Sequence, residues 1–189
     1  MRIPASYPMA LLAALITITP VYILITLASD SSTLFDSHNL KILGNTLSLM
    51  GLTVLGSILI GVPLAFISAY VHLPFKKIWL VIFAAPLAIP SYIGAFTLYA
   101  AFGPGGEINN LLGFETPPMY GLSGAAIVMT LYTFPFVMMT TRSSLLSLDA
   151  SMVNAARTLG MSMTQSVFKV ILPRVVNGIA AGSLLVALY

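Results

Sequence analysis

An all-α, polytopic bundle of membrane-spanning helices is the fold class this sequence predicts, on three observations. The 189-residue chain is 58% hydrophobic and only 7% charged, with a mean hydropathy of +1.00, where a soluble domain carries roughly 25% charged residues. Its apolar residues gather into several runs, some reaching the ~20 residues that a helix needs to cross the hydrocarbon core. Lipid offers the backbone no polar partner, so the spans must be helical. The formal charge is +3, but the basic residues lie scattered between apolar runs rather than in a stripe, which argues against nucleic acid as a partner. The sequence contains no cysteine, so neither disulfides nor thiolate metal sites are available to it.

The first run, 8–28, reads "PMALLAALITITPVYILITLA" after Arg2. A positive start before an apolar stretch also marks a signal peptide, but the run is long for that and lacks a small-residue cleavage site, so it is read as a retained helix. The polar segment "SDSSTLFDSHNLK" separates it from a second run, 46–70. The basic loop "VHLPFKK" leads to a third run, 78–102, and the Gly/Pro-rich "GPGGEINNLLGFETPPMYG" to a fourth, 122–141. A polar stretch from Arg142 to Arg174 precedes the last run, "VVNGIAAGSLLVALY", whose fifteen residues from Val175 are short of a full crossing. The predicted bundle thus has about five spans with the last incomplete, divided into residues 1–44, an N-terminal helix and outer loop, and 45–189, the main transmembrane domain.

Alternating crossings place Arg2, Lys76, Lys77, Arg142, Arg157, Lys169 and Arg174 on one side and Lys41 alone on the other. Positive loops stay cytoplasmic, so the N-terminus and the 142–174 stretch are expected inside. No ionisable side chain is needed within the first four spans, which argues against a proton pump or voltage sensor. Ser57, Gly61, Ala65 and Ala69 recur every fourth residue, a spacing that lets two helix backbones approach closely. In "PLAIP", Pro86 and Pro90 stand four apart, on one face of a continuous helix, with Pro63 and Pro135 in neighbouring runs; each removes a helix hydrogen bond and favours a kink. Such kinks can shape a pathway, to which Tyr92, Tyr99 and Tyr132 could offer hydroxyls; bent helices and interfacial tyrosines are the plainer alternatives.

Within the cytoplasmic stretch, Asp149 is placed to cap a short helix through about Leu159, and Gly160 to end it. Met152, Ala155, Ala156 and Leu159 form its small apolar face. Ser162 and Gln165 have capping-box spacing for a second helix running to Pro173. Two short helices around a glycine, held between spans, make a rigid knob suited to docking a soluble partner.

Ala155-Ala156, Gly160, Val170 and Leu172-Pro173 reproduce "AAxxxG", nine residues, "VxLP". This resembles the EAA motif of the membrane subunits of bacterial ABC importers, with Asn154 where that family usually has glutamate. "NTLSL", "IGVPLAF", "PLAIPSYIGAF", "LYTFPFV" and "AARTLG", in that order over 45–189, look like the ferric-iron (iron(III)) permeases among them. The resemblance implies the N-terminal half of a type I (MetI-like) permease in a bacterial inner membrane. It implies alternating access, with Asn154, Ala155, Ala156, Arg157, Gly160, Val170, Leu172 and Pro173 as the ATPase-coupling loop. It implies cytoplasmic ABC ATPase subunits, a periplasmic binding protein and a second permease half as partners. Sulfate, thiamine or polyamine as the solute, and a truncated, non-transporting scaffold, are the alternatives. No G-x-x-x-x-G-K-[ST] occurs, so ATP hydrolysis is expected on a separate chain, and no catalytic residue, cofactor or resident metal is expected here.

Overall fold

The computed structural model describes residues 18–20, 22–23, 26, 36–103, 106–112, 120–158 and 160–189. The chain forms two compact units, Met1–Asn45 and Thr46–Tyr189. Most of the expected first span, 8–28, lies outside the described residues; Ile18, Thr19, Pro20, Tyr22, Ile23 and Thr26 are helical. The described elements are all helical: α1 (Ser37–Tyr70), α2 (Lys76–Ala84), a tight turn (Ala85–Ala88), α3 (Ser91–Phe102), α4 (Glu107–Leu112), α5 (Gly121–Leu146), α6 (Ala150–Thr158), α7 (Met163–Ser166), a wide π turn (Val167–Ile171) and α8 (Leu172–Leu188).

α1 begins well before Thr46, because the polar segment joins it: the Leu40 amide donates to the Asp36 carbonyl at 3.0 Å. Its 34 residues extend about 50 Å at 1.5 Å each, more than the ~30 Å hydrocarbon thickness. α1, α5 and the continuous helix Met163–Leu188 are each long and apolar enough to span a membrane. The last run, from Val175, is therefore the C-terminal part of a longer helix that is continuous with α7 through the π turn. Pro173 explains how. It sits in the first turn of α8, where it lacks an N–H and its ring crowds the carbonyl four residues back, and the wide turn just before it gives that ring room.

The third run, expected as one span, is broken. The helices before and after Pro90 diverge by 92°, and Ile89 between them is extended at φ −101°, ψ 125°. A residue preceding proline is driven from the helical region by the proline ring. Pro86 lies within the tight turn and Pro90 precedes α3, so the two do not share one helical face as expected. Pro63 and Pro135, by contrast, lie inside uninterrupted helices.

The small-residue stripe of α1 packs against α5. Ser57 and Thr133 share a hydrogen bond at 3.0 Å between buried hydroxyls. A Cβ on Gly61 would lie 2.9 Å from the Phe134 carbonyl oxygen, so the two backbones meet there as small residues in membrane helices permit. The buried stripe is Thr53, Ser57, Gly61, Ala65 and Ser68; Ala69 is only half-buried. α8 meets α5 through Gly178 and Gly182, where a Cβ on Gly182 would lie 2.6 Å from the Val137 Cα. Ala65, Phe134, Met138, Leu145, Ile171 and Val175 form the core that ties α1, α5, the π turn and α8 together.

Candidate functional site

The exposed hairpin of α6 and α7 is built by local rules. The Asp149 carboxylate accepts from the Ser151 amide at 2.9 Å. That amide, then the Ser151 hydroxyl, holds the Asp149 carboxyl below the usual carboxylate range. The helix ends at a left-handed Gly160, φ 86°. There the Gly160 amide donates to the Arg157 carbonyl at 3.0 Å and the Met161 amide to the Ala156 carbonyl at 3.2 Å, the paired bonds of a glycine-terminated helix. The capping box forms as the spacing requires: the Gln165 amide donates to Ser162 Oγ at 3.2 Å and the Ser162 amide to Gln165 Oε1 at 3.0 Å.

The motif residues divide into anchors and a free edge. Ala156 is buried, whereas Asn154, Ala155, Arg157 and Gly160 are exposed. Ala155 and Ala156 of the expected apolar face therefore differ in burial, and its fourth member, Leu159, lies outside the described residues. One helical position is 100° of rotation, enough to separate Ala155 from Ala156 on so short a helix. Val170 and Leu172 are half-buried and Pro173 exposed, while Ile171 and Val175, 1% and 0% exposed, enter the core against α5. The segment that follows the hairpin is thus packed directly against the membrane helices. The sequence reading missed the anchoring of Ile171 and Val175 in the core and the Gly178-x-x-x-Gly182 pair; the last was legible as small residues four apart.

The candidate pathway residues do not converge on one point. Tyr92 and Tyr99 line an open cleft of about 390 Å³ with Ser91, Tyr120 and Met129, between α3 and the start of α5. Tyr132 is half-buried, and its hydroxyl occupies the space that a Cβ on Gly94 would need. Pro86 and Pro90 form the bend, and Pro135 is buried within α5. Among the described residues, no three His, Cys, Asp or Glu side chains cluster in a way that could hold a metal ion.

Residues 61–189 match the sequence profile of the binding-protein-dependent transport system inner membrane component family. The chain is 32% identical over 161 residues to a spermidine/putrescine transport system permease protein, PotB, of Haemophilus influenzae, covering 82% of this chain and 56% of the relative. It is 28% identical over 153 residues to a molybdate/tungstate transport system permease protein, WtpB, of Pyrococcus furiosus, covering 81% and 57%. The Escherichia coli PotB is 28% identical over 161 residues, covering 82% and 58%. The chain thus spans a little over half the length of these relatives. Their names carry polyamines and molybdate or tungstate, so the ferric-iron branch suggested by motif order finds no support in them. With several membrane-length helices and this profile across most of its length, the chain belongs to the inner-membrane permease components of binding-protein-dependent transport systems.

Proposed function

We propose that this chain forms part of the permease of an ATP-driven importer, in which the α6–α7 hairpin receives the movement of a separate cytoplasmic ATPase. A second permease half completes the path, and a periplasmic binding protein delivers the solute to its outer face. The observation that carries the reading is the hairpin's construction. Asn154, Ala155, Arg157 and Gly160 present an exposed edge, while Ile171 and Val175 lock the following helix into the core with α5 and α1. Because packed interiors transmit displacement rather than absorb it, moving the edge moves the membrane helices. Alternating access follows if ATP-driven closure of the ATPases shifts these helices between two arrangements.

For the solute, a polyamine is favoured over ferric iron. The relatives named for spermidine and putrescine support it, as does the cleft of Tyr92, Tyr99 and Tyr120. Tyrosine faces attract alkylammonium groups, and their hydroxyls accept from them. Ferric iron, a hard ion that prefers oxygen ligands, remains the competing arm of the test. In the full-length permease co-expressed with its ATPase and binding protein, uptake of labelled spermidine, molybdate and ferric iron is compared with and without Gly160→Leu. Solute-specific uptake, abolished by the substitution while ATP hydrolysis persists, is the expected result. Unchanged uptake in the variant would overturn the coupling role, and uptake of iron alone would overturn the polyamine assignment.

A further inference from the structure

A cavity of about 480 Å³ lies where α1 gives way to α2, lined among others by Tyr70, Val71, His72, Leu73, Pro74 and Lys76. Its polar side chains are a phenol, an imidazole and an ammonium; no carboxylate lines it. Lys76 is half-buried at its edge, and Lys77 and His72 are exposed beside it. Among the described residues no carboxylate pairs with either lysine. The loop is also unusual in its backbone. Phe75 holds a left-handed conformation at φ 55°, one that a bulky residue keeps only where its surroundings demand it. That conformation starts α2 at the next residue, and Phe75 is 78% exposed. Beyond it, Ile78, Trp79, Val81 and Ile82 are exposed apolar side chains of α2, a surface suited to lipid tails. The cavity therefore sits at a junction of acyl-facing surface and uncompensated positive charge.

We propose that this junction binds the phosphate headgroup of an anionic membrane lipid. Lys76 and Lys77 neutralise the phosphate, and Tyr70 and His72 supply hydrogen bonds at the cavity wall. Phe75 enters the headgroup–acyl boundary, as exposed apolar side chains of interfacial segments do. Basic juxtamembrane residues gain from the anionic cytoplasmic leaflet, the side on which positive loops remain. The site goes beyond the import reading and does not depend on it: it is the same whichever solute is carried.

Trp79 is the one tryptophan of the sequence, a single turn from Lys76, and serves as the reporter. The full chain in neutral detergent micelles is titrated with dioctanoyl phosphatidylglycerol, with dioctanoyl phosphatidylcholine and with inorganic phosphate, reading Trp79 emission. Phosphatidylglycerol is expected to give a saturable response. K76Q/K77Q should weaken it roughly tenfold or more, K76R/K77R should retain it, and Lys41→Gln, at the far end of α1, should leave it unchanged. Equal responses to the two lipids, or a response indifferent to K76Q/K77Q, would overturn the proposal. Inorganic phosphate reproducing the full response at the same concentration would overturn the lipid assignment in favour of a free anion. Should the double variant lose its helical circular dichroism, the single K77Q variant, at an exposed position, carries the same comparison.

Discussion

At the scale of single residues, the glycines separate into those held by conformation and those held by space. Gly160 has φ 86° and nothing within 4 Å of where a Cβ would stand, so a side chain there meets only backbone strain. Gly160→Ala should cost about 1–2 kcal/mol, and Gly160→Asn, which tolerates the left-handed region, less. Hydrogen exchange at the Met161 amide, bonded to the Ala156 carbonyl, reads the difference: protection should fall for alanine and largely return for asparagine. Equal loss in both would mean that the turn does not depend on left-handed geometry. Gly182 is the opposite case, since its Cβ would meet α5 backbone at 2.6 Å. Overpacking typically costs 1–3 kcal/mol, so Gly182→Ala should lower the thermal midpoint of the micelle-bound chain. Gly51→Ala, inside α1 with nothing within 4 Å, should raise it slightly, because alanine is the better helix former by about 1 kcal/mol. The same midpoint dropping for both would sink the distinction.

At the scale of elements, what was legible in the sequence was local. Asp149, Gly160 and the Ser162/Gln165 box each act within four residues, and each forms in the structure at its expected place. Ser162→Ala should therefore cost about 1 kcal/mol and fray the start of α7. The Asp149 cap carries a pH signature. Its folded carboxyl is held below the unfolded value by Ser151, so the stabilisation is present above the unfolded value of about 3.9 and lost as pH falls through the lower folded value. Protection of the Ser151 amide should hold at neutral pH and decline only in acid; decline beginning near pH 6 would contradict this assignment. The bend at Ile89–Pro90 was less legible, since prolines four apart are compatible with either a kinked helix or a broken one. The outcome turned on Ile89, whose extended backbone satisfies the proline that follows it. The phase of the α1 stripe slipped for a related reason: 3.6 residues per turn do not divide evenly into a repeat of four, so over several turns Ser68 takes the buried place expected for Ala69.

At the scale of the whole second unit, long-range contacts decide how the hairpin and the membrane helices act together. Ile171 and Val175 belong to a core that no local pattern marks, because their partners Ala65, Phe134, Met138 and Leu145 are distant in sequence. On the proposed function this separates two roles that the motif alone merges: the exposed edge would meet a partner, and the buried anchors would carry the displacement inward. The two should fail differently. Replacing Asn154 and Arg157 together by alanine removes exposed polar groups and should weaken capture of the ATPase by the full-length permease. Ile171→Val removes one buried methylene at a typical cost of 0.5–1.5 kcal/mol and leaves the edge intact. Capture should then stay near wild type while uptake per ATP hydrolysed falls, because the hairpin moves but the core yields around the missing methylene. Co-purification and a reconstituted uptake assay on the same preparations make the comparison. If the Ile171 variant loses ATPase capture as fully as the Asn154/Arg157 variant, edge and anchor are a single docking surface and displacement enters the membrane helices by another route.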